Sequence, residues 1–107
     1  MNAWVALILA GVFEIGFTSF LKLSEDFTKW LYTGLFLISA AISFSLLSIS
    51  LKTIPLGTAY AIWTGIGAAG TALIGMIFFK DPISVGRIVF LLLLIGSAAG
   101  LKMVSAH

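Results

Sequence analysis

Three kinds of side chain in this sequence could do chemistry inside an apolar surrounding. They are a carboxylic acid, Glu14; hydroxyls at Thr18, Ser43 and Thr64; and two rings with polar edges, Tyr60 and Trp63. Glu14 sits in the middle of AWVALILAGVFEIGFTSFL, residues 3–21, a run with no other charge. A charge near the centre of a bilayer costs about 3 kcal/mol on insertion scales and ~10 or more in simulation, so an acid there faces a partner or a water-filled cavity. Such an acid can exchange a proton and bind a cation, or it can serve as a neutral hydrogen-bonding link to a neighbouring helix. Leu7, Ala10, Gly11, Glu14, Phe17, Thr18 and Leu21 recur at spacings of three and four, which places them on one helical face. Its small residues suit either a cavity wall or close helix packing.

Tyr60, Trp63, Thr64, Gly67 and Thr71 also follow helical spacing, combining two aromatics with a hydroxyl on one face. Trp63 lies about a third of the way into its apolar run, deeper than an interfacial belt position. Ser39, Ser43 and Ser50 share a face of another run, and Ser43 fits two roles, a bond to a backbone carbonyl or a bond to a site group. GIGAAG at 65–70 matches the dinucleotide fingerprint letter for letter. That fingerprint needs a strand before it and a helix opening at the glycines, whereas this one lies inside an apolar helix, where glycines mark a packing point or a bend.

The elements that must carry these residues follow from composition. The chain of 107 residues is 61% hydrophobic and 9% charged, against about a quarter charged in soluble domains, so it belongs in a membrane. A spanning helix needs about 20 apolar residues. The charged residues leave four such runs, 3–21, 30–51, 57–79 and 84–104, which predicts an all-α membrane protein with one four-helix transmembrane domain over 1–107. KLSEDFTK at 22–29, the break with Lys52, Pro55 and Gly57, and KDPIS with Pro82 are the connections. Trp30 and Tyr32 suit the headgroup level. The first run has no basic region before it and a charged turn after it, unlike a cleaved signal peptide. Without cysteine there is neither a disulfide framework nor a thiolate metal site, and nothing calls for a cofactor. The net charge of +2 comes from basic residues scattered singly, which excludes a nucleic-acid patch. With no nucleophile beside a base, no metal-ligand cluster and a single histidine at the terminal His107, an enzyme is not expected.

Four helices have little interior, so one copy could not surround a substrate, whereas two copies would bring two Glu14 carboxyls towards one cavity. Gly96 and Gly100, in GSAAG, have the small-xxx-small spacing that lets helices pack closely, making the last helix a candidate dimerisation seam. Four spans put Lys52 and Lys102 on one side with the termini, and Lys22, Lys29, Lys80 and Arg87 on the other. That is a weak bias under the positive-inside rule, compatible with insertion in both orientations and hence with an antiparallel dimer.

With these residues in view, the chain resembles the small multidrug resistance transporters over its whole length. The likeness rests on four spans in a short chain, Glu14 in the first, Lys22 at its end, IPLGTAYAIWTGIGA at 54–68 and the small-residue last helix. The resemblance implies a multi-pass protein of the bacterial inner membrane, an antiparallel homodimer with a paired homologous chain as the alternative, that exports small organic cations in exchange for protons. It implies that Glu14 is the shared proton and substrate site and that Tyr60, Trp63 and Ser43 line the pocket. The faces described above add Phe17, Thr18, Gly11, Thr64 and Gly67 as lining or selectivity positions. GTAYAIWTGIGA, FFKDP and the closing GLK are similar to the guanidinium-exporting branch. That branch usually carries Trp three residues after the acid, where this chain has Phe17; quaternary ammonium exporters usually have Gly then Thr there, and Thr18 agrees with them. The expected substrates are guanidinium or substituted guanidinyl cations, with hydrophobic quaternary ammonium compounds as a wider range. The alternatives are a broad quaternary ammonium exporter, a channel, or a non-transporting assembly subunit in which Glu14 links helices.

Overall fold

The computed structural model describes residues 2–105, so the terminal His107 lies outside the described residues. Four helices follow one another: α1 (Ala3–Leu23), α2 (Trp30–Ser50), α3 (Leu56–Phe78) and α4 (Val85–Ser105). All four are long and apolar enough to cross a membrane, and there is no strand among the described residues.

The ends have local causes. Asn2 caps α1, its Oδ1 accepting from the Trp4 N–H at 2.8 Å. α1 runs past the apolar stretch to take in Lys22, a cation suited to the negative end of the helix dipole. Its ammonium lies 5.3 Å over the Phe79 ring, which ties the ends of α1 and α3 together. Between α1 and α2, Glu25, Asp26 and Phe27 take φ of 47°, 60° and 66° in succession. Left-handed non-glycine residues cost about 1 to 2 kcal/mol each. In return the Thr28 and Lys29 N–H groups reach back to the Ser24 carbonyl at 2.9 and 3.0 Å, and the reversal lays α2 antiparallel on α1. At the end of α3 the N–H groups of Phe79 and Asp81 both donate to the Gly75 carbonyl at 3.0 Å, and Lys80 takes φ 58°.

α1 is the centre of the arrangement. It packs against α2 on one side and α3 on the other, α2 scarcely meets α3, and α4 lies along α3. The result is flat, 43 × 34 × 17 Å, with its short dimension under two helix diameters. The main core gathers Leu7, Ala10, Ile54, Ala59, Ile62 and Trp63; a smaller one joins Ala69 and Met76 of α3 to Leu91 of α4. Ala98 and Leu101 continue the inward side of α4. Gly96 and Gly100, two positions either side of Ala98, lie nearly opposite that side, and a Cβ at either would meet open space.

Candidate functional site

Glycines bring α1 and α3 together around the acid. A Cβ at Gly11 would stand 2.7 Å from Ile66 Cγ2, one at Gly70 would overlap Ile15, and one at Gly67 would overlap the Glu14 carboxyl. Gly65 faces away, where a Cβ would meet that of Ala98 on α4 at an ordinary 3.7 Å. The GIGAAG segment is therefore a two-sided packing point, with α1 on one side of α3 and α4 on the other. The Glu14 carboxyl rests on the bare backbone at Gly67, and among the described residues its enclosed Oε1 accepts no hydrogen bond. A buried acceptor without a partner costs about 1 to 3 kcal/mol, so this carboxyl is not placed where it is for the stability of the single chain.

Ser43 bonds both a backbone carbonyl and a side chain of another helix. Fully buried on α2, its hydroxyl donates to the Ala10 carbonyl of α1 at 2.7 Å and accepts from Trp63 Nε1 of α3 at 3.0 Å. One hydroxyl thus joins three helices and fixes the plane of the Trp63 indole. The buried positions of α2 are Ser39, Ser43 and Ser50; Leu37, Ile38, Ile42 and Ile49 turn outward as lipid requires, while Leu46 and Leu47 pack against the core. Trp63 meets Phe44 at a ring-centroid distance of 5.3 Å and Tyr60 at 5.8 Å. Phe44 in turn stacks on Phe17 at 6.0 Å, and Phe17 meets Phe36 edge-on at 6.0 Å. Sequence reasoning did not single out Phe36 and Phe44; their spacing of eight residues, about two turns, was the available signal.

The shared face of α1 divides at its centre. The Glu14 carboxyl turns to Gly67 on α3, whereas the Phe17 ring packs into the rings of α2, so the two are not directed at one point. Thr18 is turned to its own backbone and to α3: its Oγ1 lies 3.0 Å from the Glu14 and Ile15 carbonyl oxygens and 2.7 Å from Thr71 Oγ1. Thr71, recognised only as a member of its face, is thereby brought against Thr18, one turn from the acid. Tyr60 is 57% exposed and Thr64 is exposed one turn on, so both stand out from the single chain. Among the described residues, an apolar cleft of about 420 Å³ lies between the ends of α1 and α3 at Leu23, Ile74 and Phe78, and another beside the start of α4.

These features define a class: a small, multi-pass helical membrane protein built around one intramembrane acid. A family model described as Small Multidrug Resistance protein matches residues 2–94, and the chain belongs to that family. It is 45% identical over 104 residues to a Bacillus licheniformis protein named probable guanidinium efflux system subunit GdnD, covering 95% of this chain and 98% of that one. A Bacillus subtilis protein of the same name is 44% identical over 107 residues, covering 98% and 100%. A Yersinia pseudotuberculosis protein named guanidinium exporter is 40% identical over 103 residues, covering 96% and 99%. The chain is accordingly a multi-pass protein of the bacterial inner membrane, and its relatives are named for export and efflux, not for catalysis.

Proposed function

We propose that this chain exports guanidinium or small substituted guanidinyl cations in exchange for protons, as half of an antiparallel dimer whose two Glu14 carboxyls share one site. The observation that carries the reading is the Glu14 carboxyl itself, seated on Gly67 with Oε1 unbonded and with the Ser43, Trp63 and Tyr60 group on the neighbouring turns. The names of the relatives support the substrate class. A planar guanidinium presents paired N–H donors that a carboxylate accepts two at a time. The faces of Trp63 and Tyr60 would add about 0.5 to 2 kcal/mol each by cation–π attraction.

A flat chain 17 Å thick is too thin to surround a substrate, and exposed Tyr60 and Thr64 suit a site completed by a second chain. Gly96 and Gly100, facing outward on α4, offer the seam. The word "subunit" in the names of the Bacillus proteins supports a homologous partner as the alternative to a second copy. Within such a dimer the carboxylate form binds the cation and the protonated form does not, so proton and cation exclude each other. A dimer that opens its site to alternate faces must then exchange them. If two protons return for one monovalent cation, each cycle moves net charge and gains about 2.3 kcal/mol per 100 mV. Hydrophobic quaternary ammonium compounds are the second reading, favoured by the rings of Phe17, Phe44 and Trp63, against which apolar substituents are buried at about 25 cal/mol per Å².

The test is guanidinium uptake into proteoliposomes driven by a pH gradient. Glu14→Gln keeps the shape of a protonated acid but exchanges no proton, so it should abolish gradient-driven uptake while leaving a folded dimer. Glu14→Asp should retain exchange with an altered pH dependence. Undiminished gradient-driven uptake by the Gln variant would overturn the reading. Proton release on adding guanidinium to detergent-solubilised protein separates an exporter from an assembly subunit, in which a linking acid has no reason to release protons.

A further inference from the structure

Across the seam of α1 and α3, Glu14 faces Gly67 and, four residues on in each helix, Thr18 faces Thr71. The two helices run parallel here, so the pairs sit one turn apart. Thr18 Oγ1 has three oxygen neighbours, the Glu14 and Ile15 carbonyls at 3.0 Å and Thr71 Oγ1 at 2.7 Å. A hydroxyl carries one proton. If Thr18 donates to Thr71, neither of those two carbonyls receives its proton; if Thr71 donates to Thr18, Thr18 is free to donate to them and every contact is satisfied. The second arrangement links the Thr71 hydroxyl, through Thr18, to the peptide group of Glu14.

Around this bridge the seam packs Ile15 into the space at Gly70 and Ile66 against Gly11, apolar contacts that carry no directional bond. Nor does Oε1 of Glu14 accept a hydrogen bond that would fix its direction. The depth and rotation of α1 against α3 therefore decide how the carboxyl sits over Gly67, and the hydroxyl bridge one turn away is a directional contact that can set them. We infer that Thr71 is a positioning residue for Glu14, its hydroxyl holding α1 against α3 through Thr18 so that the carboxyl keeps one orientation towards the cation. For its transport readout this rests on the proposed function; its spectroscopic readout does not.

The experiment compares wild type, Thr71→Val, which keeps the shape without the hydroxyl, and Thr71→Ser, which keeps the hydroxyl. The full chain is reconstituted in lipid, with a partner chain if it requires one. The ¹³C resonance of the Glu14 carboxyl should broaden or split in Thr71→Val and match wild type in Thr71→Ser. In guanidinium transport, Thr71→Val should raise KM roughly 3- to 15-fold with kcat within about twofold, the span that interhelical hydrogen bonds in membranes support, and Thr71→Ser should restore KM. An unchanged Glu14 resonance in Thr71→Val, or equal changes in the Val and Ser variants, would overturn the assignment. A wild type that moves no guanidinium would defeat the proposed substrate and leave the resonance to decide on Thr71.

Discussion

Gly67→Ala is the sharpest perturbation of this structure, because a single methyl would be built where the Glu14 carboxyl now lies, overlapping its Cδ and both oxygens. Two effects on stability oppose each other. Alanine in a helix interior is favoured over glycine by about 1 kcal/mol, while overpacking a close-packed seam costs about 1 to 3 kcal/mol, leaving a net loss of roughly 0 to 2 kcal/mol. The fold should therefore persist with the acid displaced. A charge-assisted hydrogen-bonded contact is worth about 1.5 to 3 kcal/mol, so losing it should weaken guanidinium binding roughly 10- to 150-fold. Calorimetric titration of detergent-solubilised protein reads the affinity, and thermal loss of the folded peak in size exclusion reads the fold. Gly65→Ala is the matched control two residues away, since its methyl would meet Ala98 at 3.7 Å without a clash. Guanidinium affinity within threefold of wild type in Gly67→Ala, or an equal loss in Gly65→Ala, would refute the placement of the carboxyl on Gly67.

Ser43→Ala leaves the Ala10 carbonyl and Trp63 Nε1 without their shared partner, so it should destabilise the fold by about 1 to 2 kcal/mol, and Trp63→Phe should not add fully to it; simple additivity in thermal unfolding would count against a relay. Phe17→Trp should raise the ratio of guanidinium to hydrophobic quaternary ammonium transport, because an indole N–H can orient a carboxylate and a phenyl ring cannot; an unchanged ratio would mean that the rings of α2 hold the indole away from Glu14. A tag on the C-terminus should be reachable from both sides of the membrane in cells expressing this chain alone, given four Lys/Arg on one side against two on the other; a tag on one side only would favour an oppositely oriented partner chain.

The helices could be read from the sequence because charged residues and prolines interrupt the apolar runs, and a run near 20 residues has few other uses. Residues that share a face were equally legible from spacing: the three serines of α2 are its buried positions, as periodicity places them. Which helix a face would meet was not legible. That depends on how the connections turn, and the first connection uses three successive left-handed residues, none of them glycine, where turn rules look for glycine or asparagine. Phe17 shows the consequence. A spacing of three from Glu14 puts it about 60° round the helix, close enough to count as one face, yet that angle separates the rings of α2 from the glycines of α3. Thr71 was legible only as a member of its face for the same reason, since its partner depends on the register of α3 against α1.

The alternative in which Glu14 merely links helices can be weighed against how this chain is held together. Lipid tails are as apolar as the side chains, so membrane helices associate through close packing and interhelical hydrogen bonds. Both are already supplied without the acid. Close packing comes from Gly11 against Ile66 and Gly70 against Ile15 between α1 and α3, and from Ala10 and Ser43 between α1 and α2. Hydrogen bonds come from Ser43 to α1, from Trp63 to Ser43 and from Thr18 to Thr71, so each neighbour of α1 is bonded to it through a hydroxyl. Neutral hydroxyls do this without the cost of placing an ionisable group in lipid, and a linking acid would be expected to spend its oxygens on the helix it joins. Glu14 Oε1 instead lies enclosed on α3 without a bond to it. An acid that is costly to bury and makes no hydrogen bond to the helix it rests on fits the proposed role in exchange better than the role of a link, with the hydroxyl bridges left to hold the helices together.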